Sequence, residues 1–116
     1  MSVALVIDYP NATPKDPGRL FPISTEKIFY RYWYPVIEQE GYNWLPGMAA
    51  GIPLDAEILP EVLAELRRLQ AAFPRYYAPN DAEYDYITGR LANLIEYLEA
   101  VDPTDLTRGD LKLVLG

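Results

Sequence analysis

The chain contains no cysteine and no histidine. Without cysteine there is no disulfide framework, no thiolate metal site and no thiol nucleophile. Without histidine the commonest general base and the commonest metal ligand are also missing. Serine is nearly absent too: there is only Ser2 near the start and Ser24, which suits a helix cap. No Gly-x-Gly-x-x-Gly and no other phosphate loop follows the first apolar run. That run, residues 3–7, lacks a basic leader and is too short for a signal-peptide core. No stretch approaches the roughly 20 apolar residues of a membrane-spanning helix. These absences predict a soluble cytoplasmic domain that is not an enzyme and uses neither cofactor nor metal.

What is present fits one domain over residues 1–116, half of them apolar, enough to form a core without covalent staples. The net charge is −7 and unevenly spread. Residues 38–65 hold six acidic groups and no basic one, and residues 80–110 hold eight acidic groups against Arg90 and Arg108. Between these segments lie Arg67, Arg68 and Arg75. Such a surface repels nucleic acid and anionic lipid, and it speeds encounter with a basic partner.

Residues 3–7, ended by Asp8-Tyr9-Pro10, read as a buried strand. Residues 10–22 carry Pro10, Pro14, Pro17, Gly18 and Pro22 and read as a loop. Ser24 or Thr25 is placed to cap a helix bearing Ile28, Phe29, Tyr32 and Val36, with a kink or break expected at Pro35. Residues 41–54 are uncharged and hold three glycines and two prolines. They predict an irregular loop with an extended piece at residues 43–45. A second helix starts near Pro60 with Leu59, Val62, Leu63, Leu66, Leu69 and Phe73 as its apolar stripe, and should stop at Pro74. A third spans residues 81–100, capped by Asn80 with Glu83, and buries Tyr84, Ile87, Leu91, Leu94, Ile95 and Leu98. A turn at Arg108-Gly109-Asp110 leads to a closing strand at residues 111–115. The expected fold is α+β: three amphipathic helices packed on a minimal sheet formed by the short N- and C-terminal strands, which pair to satisfy each other's backbone. Residues 20–23 or 43–45 remain open as a third strand.

Two constellations suggest chemistry. Glu38 and Glu40 form a conceivable carboxylate pair, but neighbours at a helix end usually face water. Asp81, Glu83 and Asp85 alternate like the start of a calcium loop. Tyr86 then replaces its glycine and Ala92 its bidentate glutamate, and acidic groups are in any case favoured where a helix begins.

Binding residues are better represented, with ten tyrosines and two tryptophans. On the third helix Glu83, Tyr86, Arg90, Asn93 and Tyr97 recur at steps of three and four, rotated from the leucine face. Tyrosine and arginine are the side chains that dominate interface energetics. In the uncharged loop, Trp44 and Met48 are the second candidates, with Trp44 leaning toward burial and residues 47–51 toward exposure. The alternative for the tyrosines is that they lie flat over neighbouring elements.

Small, acidic, aromatic-rich and without catalytic equipment, the chain resembles the immunity proteins of bacterial toxin systems in size and composition. That resemblance implies a protein-binding inhibitor whose partner is a basic toxin domain. The alternatives are a small adaptor or regulatory subunit of a bacterial complex, and a domain that forms a homodimer through its aromatic surface.

Overall fold

The computed structural model describes residues 2–14 and 18–116; the part of the predicted loop at residues 15–17 lies outside them. Four strands form one antiparallel sheet in the order β2-β1-β4-β3: β1 (Ser2–Asp8), β2 (Arg19–Thr25), β3 (Ile52–Leu54) and β4 (Lys112–Leu115). The fold is α+β. The two terminal strands form the central pair, with Val6 opposite Val114 and Asp8 opposite Lys112. The sheet is wider than the terminal pair alone, because β2 and β3 flank it. The expectation of loop over part of β2 rests on Pro22. At a sheet edge, however, a missing donor costs no ladder bond, so proline is tolerated there. The extended piece of the uncharged loop is residues 52–54, not 43–45.

Alternation along β1 separates the two faces of the sheet. Val3, Leu5 and Ile7 are buried toward the helices; on the opposite face Val6 is 38% exposed, while small Ala4 is 7% exposed.

The Thr25 hydroxyl accepts the Ile28 N–H at 3.2 Å and starts α1 (Glu26–Ile28). A π turn, Phe29–Trp33, follows, in which the Tyr34 N–H donates to the Phe29 carbonyl. It leads into α2 (Tyr34–Glu40), which ends at Gly41 with φ 68°. The widened turn is how the chain takes up Pro35, whose ring would clash with a carbonyl one regular turn earlier. Gly41 adopts the left-handed cap conformation that a β-carbon disfavours.

After the short 3-10 turn Leu45–Ala49 come α3 (Ile58–Tyr76) and α4 (Tyr84–Glu99). The expected stop at Pro74 is corrected: α3 runs through it to Tyr76. In the last turn proline removes a single hydrogen bond, and Phe73 still receives the Tyr77 N–H at 2.9 Å. Asn80 does not cap α4 either. The carboxylate of Asp81 takes the Glu83 N–H at 3.1 Å, so the helix begins later than residue 81.

A further helix, α5 (Pro103–Arg108), stands where only a turn was expected. Its signals are local: Asp102 accepts the Thr104 N–H at 2.9 Å, Pro103 fills the first position, and Gly109 with φ 77° ends it. That N–H holds the Asp102 carboxyl below its ordinary value of 3.8. A folded value below the unfolded one means stabilisation that is present at neutral pH and lost as pH falls through the folded value. The melting-temperature advantage of the native chain over Asp102→Ala should therefore shrink as pH drops below 3.8. An advantage that persists undiminished in acid would show that the carboxylate form is not what caps α5.

The core lies between the helices and one face of the sheet. Leu66, Leu69, Leu91 and Leu94 are fully buried in it, as their spacing predicts, together with Phe29, Trp33 and Phe73. Among the described residues no helix is long and apolar enough to cross a membrane.

Candidate protein-binding surface

Helix α4 packs its leucine face inward and lays its second stripe against the edge strand β2. The Arg90 guanidinium sits 5.1 Å from the centre of the Tyr86 ring. It also donates to the Pro22 carbonyl at 3.1 Å, on a strand 68 positions away in sequence. Two separate contacts thus hold an arginine that would otherwise sample many rotamers. The Tyr97 ring rests 5.3 Å from that of Phe21. Burial, and next the neighbouring Tyr9, raise the Tyr97 hydroxyl above the usual phenol value. Tyr86, Arg90 and Tyr97 are half-buried, and Asn93 is exposed.

Phe21, Asn93, Glu96, Tyr97 and Ala100 line an open recess of about 390 Å³. The structure therefore keeps four of the five predicted stripe residues on one surface. Glu83 departs from them. It lies about 21 Å along the helix from Tyr97 at a rise of ~1.5 Å per residue, in another recess with Lys27, Ile28 and Arg31. Sequence reasoning missed Phe21, Pro22 and Glu96 as members of the surface. For Phe21 and Pro22 the reason is that prolines make this segment look like loop rather than strand. Glu96 stands three positions after Asn93 and so borders the stripe, but its charge groups it with the other acidic residues of the helix.

The second candidate group falls elsewhere. Met48 is fully buried, which corrects its expected exposure. Trp44 is half-buried and lines a recess of about 440 Å³ with Leu54, Ile58, Leu106 and Leu113, beside β3. Because β2 and β3 are opposite edges of the sheet, Trp44 and the α4 stripe cannot form one surface.

What holds this loop is Glu65 on α3, only 5% exposed. Its carboxylate accepts the backbone N–H groups of Asn43, Trp44 and Leu45 at 3.2, 2.9 and 3.0 Å. A signal for it exists in the sequence. Glu65 falls three residues after Val62 and four before Leu69, on the buried flank of the helix. A lone acid there needs donors to justify its place.

Two of the other suspect carboxylates, Glu40 and Asp81, are also committed to partners. Glu40 accepts from Arg75 and from the Tyr76 hydroxyl, and the Tyr76 bond first, then Arg75, holds its carboxyl below the ordinary range. Asp81 accepts the Tyr32 hydroxyl at 3.0 Å, and Tyr77 donates to the Tyr32 carbonyl at 2.6 Å, inside the π turn. Much of the tyrosine load thus ties the helices together. Among the described residues no group of three or more acidic side chains is gathered as for a metal ion.

No protein-family model, no curated protein and no solved structure matches this chain.

Proposed function

We propose that the chain is a non-catalytic, protein-binding inhibitor of the immunity-protein kind, and that it meets a basic protein partner at the surface shared by α4 and β2. The observation that carries this reading is Arg90, set between the Tyr86 ring and the Pro22 carbonyl next to exposed Asn93 and an open recess. Side chains already held in place lose little entropy on binding, which is what makes Tyr and Arg effective anchors. Glu96 at the recess and the net charge of −7 favour a basic partner by steering its approach. Glu40 and Asp81, two of the carboxylates that could do chemistry, are instead engaged in holding the fold, which supports binding over catalysis.

The test is titration of the chain against candidate toxin domains of high isoelectric point, with Tyr86→Ala and Asn93→Arg run in parallel. A cognate domain is expected to lose at least about 30-fold in affinity, or 2 kcal/mol, with either variant, while both keep the native melting temperature within a few degrees. Association should slow steeply with added salt and dissociation should change little. Full affinity in both variants, or a salt-independent association rate, overturns this assignment and favours an adaptor that uses another surface.

A further inference from the structure

Among the described residues the helices pack on one face of the sheet, and the middle of the other face is apolar. Strand register places Leu20 opposite Val6, Val6 opposite Val114, and Val114 opposite Pro53. These four residues form a continuous row across all four strands, with Leu20 67% and Val6 38% exposed. Pro22 and Ala4 stand opposite each other on the same face. Both edge strands contain a proline, Pro22 in β2 and Pro53 in β3, and each therefore lacks a donor that a further strand would need. Lateral extension of the sheet is disfavoured. Covering its open face is not.

Charge selects the occupant. Among the described residues the outward positions of the strands hold one acid, Asp8, and one base, Lys112, directly opposite each other on β1 and β4. The face is thus neutral on a chain whose net charge is −7, so it offers a basic partner nothing. It does match itself. A two-fold axis running along the strands, between β1 and β4, exchanges β1 with β4 and β2 with β3. A second copy so placed sets Val6 over Val114, Leu20 over Pro53, and Asp8 over Lys112, each contact occurring twice. We propose that this face pairs with the same face of a second copy of the chain, the two sheets stacking about 10 Å apart as in a β-sandwich.

A four-stranded face is a small interface, of the size that weak and transient pairing uses. The net charges of the two copies repel one another, so added salt should tighten the pairing. Binding of a basic partner at α4 has the opposite salt dependence, so the two surfaces can be told apart and one can fail without the other.

Sedimentation equilibrium tests the proposal. The native chain is expected to shift from monomer to dimer with rising concentration, and at lower concentration when salt is added. Asp8→Lys and Lys112→Asp each place like charges face to face and should weaken self-pairing at least about tenfold, with no change in circular dichroism. Mixed in equal amounts, the two variants should regain the native dimer, because both lysines of the first then face both aspartates of the second across the axis. Within either variant chain the cross-strand pair remains like-charged, so rescue by mixing cannot come from repair of the monomer. Leu20→Glu, at an exposed edge position, should give a folded monomer. A native chain that stays monomeric at about 1 mM in high salt, or a mixture that stays monomeric, overturns the proposal.

Discussion

Glu65→Ala is expected to lower stability by about 3–5 kcal/mol, as much as any single side chain in the molecule. The carboxylate receives three backbone N–H groups from the start of the 3-10 turn, one of them from fully buried Leu45. Water can replace the carboxylate at exposed Asn43, but it cannot reach Leu45 without opening the core, so most of the cost lies there. The loop that Glu65 holds carries Leu45, Met48 and Ile52 into the cluster, and these contacts should loosen together. Glu65→Gln keeps one acceptor oxygen and loses the charge, so a smaller loss, about 1–2 kcal/mol, is expected. Urea unfolding of the three proteins checks the ranking. Equal stability of Glu65→Ala and the native chain would mean that these hydrogen bonds do not hold the loop.

Leu91→Ala should cost about 2–5 kcal/mol and lower the melting temperature by roughly 10 °C or more. Leu91 is fully buried on α4 and belongs to the same cluster as Ile87, Leu94, Leu66 and Leu69. Its neighbours are anchored in long helices and cannot collapse into the space it leaves, so a cavity term adds to the lost transfer energy. A loss below about 1 kcal/mol would show that α4 presents a different face to the core. The contrast with Tyr86→Ala is informative, because that ring is half-buried at the helix flank and its removal opens no enclosed space.

Periodicity carried much of the fold. The leucine spacing in residues 59–73 and 84–98 was enough to place both long helices and their buried faces, because burial of one stripe is what stabilises an amphipathic helix. The short apolar runs at either end, with backbone groups to satisfy and no other obvious strand, were enough to pair β1 with β4. The short elements were harder to see. β2 was legible only as an open alternative over residues 20–23, since Pro22 argues against a central strand and nothing local says that a strand lies at an edge. β3 is three residues long and exists because β4 offers it an unpaired side. α5 was written in Asp102, Pro103 and Gly109, but a six-residue helix carries little periodic signal.

Within the candidate surface, spacing along the chain is enough to say which residues share the outer stripe of α4, because helical geometry is local. What that stripe touches depends on how the elements dock. Arg90 reaches Pro22 across 68 positions and Tyr97 rests on Phe21, contacts set by where β2 docks. The same holds for Met48, which composition alone left free to lie on either side of the surface and which packing around the Glu65 clamp carries inside. It holds too for the open row Leu20, Val6, Val114 and Pro53, whose members come from four separate segments. Spacing along a chain fixes neighbours within one helix or strand. Neighbours between elements depend on register and docking, which come from the summed burial and hydrogen bonding of the whole molecule.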